Sequence, residues 1–333
     1  MINSTKFEVA LVGGTGFIGK GVQKLLSSQS ISYIVFTRNL ELAESNKNLY
    51  RYIPDICAVE NWADLLRGIS VVVYMSGIRN SPPSFSKENL MELEKANIHE
   101  PVKFYEACSK SSIERFIFIS SAKVNGEISQ KDELFTASSP YFPGDNYSLS
   151  KAKAEKELLK RQCKSNTLLI ILRPPLVYGP GSDGNLDKLI ALSRLRIPLP
   201  FLGVKNKRSM VSINNLTNFI GYLIIQPKVK LSKFRKKIYY VKDPIDMSIG
   251  DIIKCIEKIQ GRKIQMFWCP KLVLKFFFLI VGKYSLYQKL FESFRVSTVF
   301  ETEVLSWSSL PDFDNTLKNM VLMFGEISHD RYK

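Results

Sequence analysis

The stretch EVALVGGTGFIGKGV, residues 8–22, decides which fold the chain is expected to adopt. Three glycines spaced three apart, Gly13, Gly16 and Gly19, follow an apolar run and precede a helical pattern. A glycine-rich turn between a strand and a helix brings backbone N–H groups and the positive end of the helix close to a phosphate. The stretch therefore predicts a βα unit that binds the pyrophosphate of a dinucleotide. The residues expected at this pyrophosphate are Gly13, Gly16, Phe17, Ile18 and Gly19.

Apolar runs and helical patterns continue to alternate through the first half of the chain. The runs SYIVFTRN, SVVVYMSG, RFIFISS and TLLIILR are rich in Val, Ile, Leu and Phe, which is typical of strands covered by helices on both faces. This alternation predicts an α/β fold with a Rossmann-like, doubly wound parallel sheet. The alternation weakens after about residue 175. We expect residues 1–174 to form the NAD(P)-binding domain and residues 175–333 to form a smaller C-terminal α/β substrate lobe, with some elements returning to the first domain.

The composition excludes several classes of protein. The 333 residues include two histidines, neither with ligand spacing, so we expect no metal site. The five cysteines form no CxxC pair, which is typical of reduced thiols in a cytoplasmic protein. No apolar run reaches the roughly 20 residues that span a bilayer.

The net charge of +16 has several explanations. Residues 228–295 carry sixteen Lys and Arg against five Asp and Glu. This excess indicates an anionic small-molecule substrate, an anionic membrane surface, nucleic acid, or no more than a lysine-rich solvated surface. No nucleic-acid-binding motif accompanies the charge, so we expect no nucleic-acid partner.

The second strand of such a domain selects the cofactor. An acidic residue about 20 positions after the glycine turn would bind the ribose 2′-hydroxyl of NAD. Thr37 and Arg38 occupy that place, and the next carboxylate is Glu41. Because a guanidinium favours the 2′-phosphate of NADP, NADP(H) is the preferred cofactor. NAD(H) is the alternative, in which Arg38 stacks on the adenine or faces solvent. Asp55 and Ile56 suit the loop that contacts the adenine.

The candidate catalytic residues lie in the stretches NYSLSK and FIFISS. Tyr147 and Lys151 are four positions apart at the start of a predicted helix, so they lie on one face of it. Ser120 and Ser121 end a predicted strand. We expect the Lys151 ammonium to lower the pKa of the Tyr147 phenol toward neutrality, and a serine hydroxyl to hold the reacting oxygen. This set suits proton transfer to a carbonyl or from an alcohol.

These motifs, in this order, resemble those of the extended short-chain dehydrogenases/reductases, in the nucleotide-sugar epimerase/dehydratase/reductase family. The resemblance covers residues 8 to about 220, roughly two thirds of the chain. It rests on GGTGFIG, VVVYMSG, the helix with Asn97, FISSAKVNG, YSLSK, ILRPPLVYGPG and NKRSMVSINNL. It implies that Ser121 binds the substrate oxygen, that Tyr147 is the acid/base and that Lys151 also binds the nicotinamide ribose.

The resemblance also implies binding roles elsewhere. Asn97 would support the nicotinamide side, and Arg208 would grip the diphosphate of the substrate together with Asn185. Two residues depart from the family pattern. Ser76 lies in YMSG where the family has HLAA, so its hydroxyl is expected near the cofactor, and Asn215 stands where many members have Asp. Because the family often dimerises through helices that include the one with the catalytic tyrosine, we expect a homodimer.

The later motifs are similar to those of a bacterial polysaccharide-biosynthesis subgroup, which includes lipopolysaccharide enzymes. Arg38 favours a reductase that uses NADPH to reduce the C4 ketone of a UDP-4-keto-6-deoxy-N-acetylhexosamine. The alternative is a UDP-glucose/UDP-N-acetylglucosamine 4-epimerase with tightly bound NAD. A steroid-type dehydrogenase and a non-catalytic dinucleotide-sensing protein are further alternatives. Arg208 argues against the former, and the Ser-Tyr-Lys set argues against the latter.

One apolar segment has no place in this scheme. The stretch PKLVLKFFFLIVGK, residues 270–283, is too short to span a bilayer. It predicts either a buried helix or dimer contact of the substrate lobe, or an interfacial helix that contacts an anionic membrane. We therefore expect a cytoplasmic protein with a UDP-sugar substrate, for which peripheral membrane contact through this segment is an open alternative.

Overall fold

The computed structural model describes residues 8–79, 86–130, 133–195, 197–227, 238–303 and 305–330. The chain divides into two compact units. Unit 1 comprises the described residues of Met1–Val124, Pro140–Arg173 and Thr217–Tyr239, and unit 2 comprises those of Asn125–Ser139, Pro174–Leu216 and Tyr240–Lys333. Residues 228–237, which contribute to the basic excess noted above, lie outside the described residues.

A seven-stranded sheet forms the centre of unit 1. The strands of the described residues, in chain order, are β1 (Glu8–Val12), β2 (Tyr33–Thr37), β3 (Tyr50–Tyr52), β4 (Ile69–Tyr74), β5 (Arg115–Ile119), β6 (Leu168–Arg173), β7 (Leu176–Tyr178), β8 (Met210–Ser212) and β9 (Ile238–Tyr240). The sheet has the order β3-β2-β1-β4-β5-β6-β9, and every pair from β3 to β6 is parallel. The strand order reverses between β1 and β4, which is where open α/β sheets bind their ligands. The predicted Rossmann-like, doubly wound fold is confirmed.

Helices connect the strands. In chain order they are α1 (Phe17–Ser28), α2 (Leu40–Ser45), α3 (Trp62–Leu65), α4 (Lys87–Glu94), α5 (Glu100–Ser109), α6 (Asn146–Gln162), α7 (Asn185–Arg194), α8 (Ile213–Ile225), α9 (Ile249–Gln260), α10 (Lys271–Ile280), α11 (Tyr284–Phe291), α12 (Val299–Glu303) and α13 (Phe313–Asp330). A π-helical segment, Lys95–His99, joins α4 directly to α5. Single 3₁₀ turns occur at Ile56–Ala58 and Ala122–Asn125.

The core of unit 1 holds α5 against the sheet. Phe104 of α5 is fully buried and makes edge-to-face contacts with Phe36, Trp62 and Tyr74, at ring-centroid distances of 5.6, 5.0 and 5.8 Å. Burying a side chain of this size contributes about 1.5–3 kcal/mol, and the ring geometry adds to it. This packing fixes the position of α5, whose first turn faces the end of β2.

Unit 2 contains the parallel pair β7–β8 and a helical core. Tyr178, Ile190, Ile253, Phe291 and Leu317 are buried there. Helix α10 covers most of the apolar segment predicted from residues 270–283, but Leu274 is its one buried residue. The interpretation of this segment as a buried helix is therefore wrong. Within the ranges that the structure describes, no helix is long and apolar enough to traverse a bilayer.

Candidate active site

The glycine turn lies at the carboxyl edge of the sheet, beside the reversal of strand order. Gly13 adopts a φ of +82°, and a Cβ at this position would lie 2.6 Å from the backbone N of Ser76, in the loop after β4. Only glycine allows the two backbones to approach so closely. Gly16 is the N-cap of α1, Gly19 is buried within that helix, and Phe17 is half-buried in its first turn beside Ile18. An exposed helix N-terminus beside closely spaced backbone fits the pyrophosphate of a dinucleotide.

Arg38 forms an ion pair with Glu100. Its guanidinium donates to Glu100, the first residue of α5, and the side chains are 52% and 3% exposed. Burial raises the pKa of Glu100, and the Arg38 charge opposes that rise. Loss of Arg38 would leave the mostly buried Glu100 carboxylate without its counter-ion, which is unfavourable. The prediction of NADP considered the Arg38 guanidinium alone and did not include the Glu100 carboxylate that pairs with it.

Asp55 and Ile56 shape the loop expected at the adenine. The Asp55 carboxylate accepts from Cys57 N at 2.8 Å and from Lys95 Nζ at 2.7 Å. The hydrogen bond from Lys95, followed by that from Cys57, lowers the pKa of Asp55. Ile56 is 4% exposed and belongs to the core. Both side chains therefore hold the loop in place, and an adenine would meet mainly its backbone.

Ser121, Tyr147 and Lys151 belong to adjoining parts of unit 1, just after β5 and in the first turns of α6. Asp145 is the N-cap of α6 and accepts from Ser148 N at 2.7 Å, so the helix begins just before Tyr147. The Ser121 side chain is close enough to the Tyr147 phenol to act on it and to lower its pKa. The structure thus brings two of the three predicted catalytic residues close together.

Lys151 is buried on the same helix, one turn after Tyr147. Its Nζ donates to Ile119 O at 3.1 Å and lies 4.7 Å from the centroid of the Phe118 ring. The side chain packs against the end of β5, two residues before Ser121. A cation held there can face a ligand that enters above the carboxyl edge of the sheet.

The pKa values differ from the sequence-based expectation. Burial raises the pKa of Tyr147 to about 12, although Arg79 and the Ser121 hydrogen bond act in the opposite direction. Burial lowers the pKa of Lys151 to about 8, with Glu155 opposing the shift. The expectation that Lys151 brings the Tyr147 pKa toward neutrality is wrong for the protein alone. Desolvation of the phenolate outweighs the electrostatic support that it receives.

Asn97 connects the cofactor side of the site to the catalytic helix. It lies in the π-helical segment, a distortion that is frequent at functional sites. Its amide accepts from Ile78 N at 2.8 Å and donates to Ile78 O at 2.9 Å and Ser150 Oγ at 2.8 Å. A Cβ on Gly77 would lie 2.7 Å from Asn97 Oδ1 and 3.2 Å from Lys151 Nζ. Gly77 therefore lets the loop after β4 pass directly over both residues, and the sequence reading did not single it out.

A buried network behind the site was also missed. Glu155 of α6 is fully buried and accepts from Ser120 Oγ, from Tyr141 OH at 2.8 Å and from Arg173 Nη2 at 2.6 Å. It follows Lys151 by one helical turn, so the spacing Y-x-x-x-K-x-x-x-E already places it on the catalytic face of the helix. The network ties α6 to the ends of β5 and β6.

The residues expected at the substrate diphosphate lie in unit 2. Asn185 is exposed at the first position of α7. Arg208 Nη1 donates to Glu292 O at 2.9 Å and Gln288 O at 3.3 Å, at the C-terminal end of α11. Burial lowers the pKa of Arg208 to about 10, and Glu127 opposes the shift. Arg208 is thereby fixed in orientation; the diphosphate roles of both residues stay predictions.

Unit 2 also contains a cavity of about 410 Å³. Its lining combines apolar residues with the ammonium groups of Lys205, Lys207 and Lys254. Ser121, Tyr147 and Lys151 do not line this cavity. We assign the active site by the chemistry of these three residues.

The fold, the glycine turn and the Ser121–Tyr147–Lys151 cluster define a class: nicotinamide-dinucleotide enzymes of the short-chain dehydrogenase/reductase type. The chain belongs to the NAD dependent epimerase/dehydratase family, whose model matches residues 9–229. It is an enzyme of this oxidoreductase/epimerase family.

Individual proteins extend the match to nearly the whole chain. The chain is 32% identical to "UDP-glucose 4-epimerase" of Vibrio cholerae over 305 residues, which cover 90% of each chain. Among solved structures, "UDP-Glucuronic acid 4-epimerase from Bacillus cereus in complex with NAD" has a TM-score of 0.71 and 19% identity, covering 96% of this chain and 99% of that chain. "UDP-N-acetylglucosamine 4-epimerase from Bacillus cereus" has a TM-score of 0.67 and 16% identity, with 96% and 99% coverage. These two structures are similar to this chain in fold.

Proposed function

We propose that the protein is a UDP-hexose 4-epimerase that uses NAD. The similarity to the Vibrio cholerae UDP-glucose 4-epimerase over 90% of both chains supports a UDP-sugar substrate. The observation that carries the choice of cofactor and reaction is the ion pair between Arg38 and Glu100. Because Glu100 already neutralises its charge, Arg38 attracts the 2′-phosphate of NADP less strongly than an unpaired guanidinium would. NAD has no 2′-phosphate and does not need this interaction.

The chain's own groups have the following roles in this proposal. Bound NAD supplies the chemistry of hydride removal and return at C4. For the oxidation Tyr147 has to start as the phenolate: it takes the proton from the 4-hydroxyl, becomes the phenol and later gives that proton back, while Ser121 donates a hydrogen bond to the same oxygen. Lys151 holds the nicotinamide ribose. Asn97 and Gly77 hold the loop over which the nicotinamide would lie.

The reductase interpretation remains the second candidate. It requires Arg38 to bind the 2′-phosphate of NADPH, and the half-exposed guanidinium leaves it within reach of a ligand. Arg38 would then have to share or leave the buried Glu100 carboxylate, which is costly. The epimerase proposal avoids this cost. A role in surface polysaccharide synthesis stays a prediction under either reaction.

A single set of assays separates the two reactions. Purified protein is incubated with UDP-glucose or UDP-N-acetylglucosamine and a trace of NAD, and proton NMR follows the C4 epimer. In parallel, NADPH or NADH is mixed with a UDP-4-keto-6-deoxy-N-acetylhexosamine, and the absorbance of the reduced nicotinamide is recorded. We expect epimer formation without consumption of reduced nucleotide. Stoichiometric oxidation of NADPH, without epimerisation, would establish the reductase instead.

The same assay tests the catalytic tyrosine. Tyr147→Phe removes the proton donor and is expected to lower kcat by about 10²–10⁴-fold, the usual share of general acid–base catalysis. The matched control is Tyr33→Phe, because the Tyr33 hydroxyl bonds Ser27 Oγ at 3.0 Å near the amino end of β2. A Tyr147→Phe protein within about tenfold of the wild type would rule out this role.

The homodimer also stays a proposal. Met91 on α4 and Leu149 on α6 are 62% and 41% exposed, which supports pairing of a second copy through the helices around the catalytic one. We likewise propose that unit 2 binds the sugar nucleotide through Arg208 and Asn185.

A further inference from the structure

Helix α10 lies on the surface of unit 2 with most of its apolar side chains in solvent. Leu272, Phe276 and Ile280 are 78%, 70% and 77% exposed, and Val273 and Phe277 are 57% exposed each. The first three follow one another at intervals of four residues, so they form a single stripe, and the other two widen it. Contiguous apolar surface of this kind marks a binding face rather than ordinary solvated surface.

The apolar face continues on both sides of the helix. Phe267 and Trp268, which precede α10, are 46% and 66% exposed, and Val281, which follows it, is 44% exposed. Leu202 is 49% exposed, and its backbone N donates to Phe267 O at 3.2 Å, so it adjoins them. We call α10 together with these four residues the α10 patch.

The charges along the chain segment that carries α10 have one sign. Residues 261–291 contain six Lys and Arg and no Asp or Glu. Lys271 and Lys275 lie within α10 and Lys283 lies just after it, and all three are exposed. Basic residues beside an aromatic and aliphatic face are typical of helices that lie in an anionic lipid interface.

The dimensions of α10 exclude insertion across a bilayer. Its ten residues span about 15 Å, half of the roughly 30 Å hydrocarbon core. A helix of this length can lie in the plane of the interface, with its apolar side chains in the acyl boundary and its lysines on lipid phosphates. Trp268 suits the headgroup level, where indole rings concentrate.

A second copy of the chain is a poorer occupant. In a two-fold contact through the α10 patch, Lys271, Lys275 and Lys283 would meet the same cations of the partner. Residues 261–291 offer no carboxylate to pair with them, so the contact would bring like charges together. An anionic surface matches the cations instead. We propose that the α10 patch docks the protein reversibly on anionic phospholipid membranes.

Vesicle flotation tests this proposal. The full-length protein is mixed with vesicles of phosphatidylcholine alone or of phosphatidylcholine with phosphatidylglycerol, at low and high NaCl. We expect flotation with the phosphatidylglycerol vesicles at low salt, and a marked loss on adding salt or omitting the anionic lipid. Phe276→Ser/Ile280→Ser should lower the partition coefficient by about tenfold or more, because each side chain loses its apolar transfer. Lys271→Gln/Lys275→Gln should lower it by about fivefold per lysine.

The matched control is Ile245→Ser/Leu310→Ser. These residues are similarly exposed, at 68% and 62%, but lie outside the α10 patch, so flotation should be unchanged. Circular dichroism checks that every variant is folded. Failure of the wild type to float with anionic vesicles overturns the proposal, as does equal flotation of Phe276→Ser/Ile280→Ser. Conversion of a lipid-free dimer to a monomer by that variant would assign the α10 patch to a second copy. None of these outcomes depends on which UDP-sugar reaction the enzyme performs.

Discussion

Lys151 combines a structural cost with its expected catalytic use. The side chain is 3% exposed, and burial lowers its pKa from 10.5 to about 8. A lysine whose folded pKa lies below its unfolded pKa destabilises the folded state while it is charged. The cost is fully present below about pH 8. Between pH 8 and 10.5 the unfolded chain binds more protons than the folded one, so stability rises with pH.

This burden predicts the effect of Lys151→Met on stability. At pH 7 the variant is expected to be more stable than the wild type by up to about 3 kcal/mol, because an apolar side chain avoids the desolvation. The difference should shrink as the pH rises above 8, since the wild type then loses its buried charge. Urea denaturation of the nucleotide-free proteins between pH 7 and 9.5 measures it.

The control for this measurement is Lys153→Met on the same helix. Lys153 is 49% exposed and pairs with Glu94 at 2.7 Å, so its loss should change the free energy of unfolding by no more than about 1 kcal/mol. A Lys151→Met protein that is less stable than the wild type at pH 7 would contradict the prediction. It would mean that the interactions of the Lys151 ammonium outweigh the cost of its burial.

Asn215 illustrates how one residue departs from a family pattern for a local reason. Its Nδ2 donates to Asp243 Oδ1 at 2.7 Å and to Leu310 O at 2.9 Å. Asp243 also accepts from Tyr178 OH at 2.5 Å and from Ser212 N at 3.0 Å. An aspartate at position 215 would face the Asp243 carboxylate and repel it. The sequence reveals the departure, but the residue that explains it lies 28 positions away.

At the scale of elements, the Glu155–Arg173 pair anchors the catalytic helix to the sheet. Both side chains are at most 1% exposed. Glu155→Gln leaves the Arg173 charge buried without its counter-ion, so we expect a loss of about 3–5 kcal/mol in the free energy of unfolding. Adding Arg173→Met to that variant should recover part of the loss, because it removes the isolated charge. Urea denaturation of the single and double variants measures both steps.

A surface ion pair that joins α6 to α4 calibrates this experiment. Glu94→Gln removes one partner of the exposed Lys153–Glu94 pair and should cost less than about 1 kcal/mol. Equal effects of Glu94→Gln and Glu155→Gln would mean that burial of the inner pair carries no energetic weight.

The elements also differ in how far the sequence predicts them. β1, β4, β5 and β6 are five or six residues long and consist mainly of apolar residues, so their composition is sufficient to predict them. β3 and β9 have three residues each, and they exist as strands through pairing with neighbours that are distant in sequence. Periodicity cannot detect such strands.

The residues of the candidate site likewise divide into those that the sequence predicts and those that it does not. The glycine turn, Ser121, Tyr147 and Lys151 follow from local spacing, and the structure places all of them in unit 1. The Arg38–Glu100 pair joins residues 62 positions apart, so the second strand alone suggested NADP. The apolar sequence of α10 is compatible with a buried helix and with an exposed one. Which of the two it forms depends on the surrounding tertiary structure.

For the whole molecule, charge is the property that local patterns describe least. The chain carries +16, while both a UDP-sugar and a dinucleotide are anions through their diphosphates. A net field of this sign raises the local concentration of an anionic substrate and its association rate. It does not alter the chemical step, which we propose to occur among Ser121, Tyr147 and Lys151 after binding.

This separation predicts a salt dependence that is confined to substrate capture. Raising NaCl from about 0.01 M to about 1 M shortens the screening length from about 30 Å to about 3 Å. For the UDP-sugar of the proposed reaction, kcat/KM should then fall by about tenfold or more, whereas kcat at saturating substrate should change far less. Initial rates measured across the salt series, with potassium glutamate replacing NaCl to exclude competition by chloride, test this. If kcat/KM does not change with either salt, the positive charge does not act in substrate capture. It would then act in binding another partner, and the α10 patch is the candidate surface for that binding.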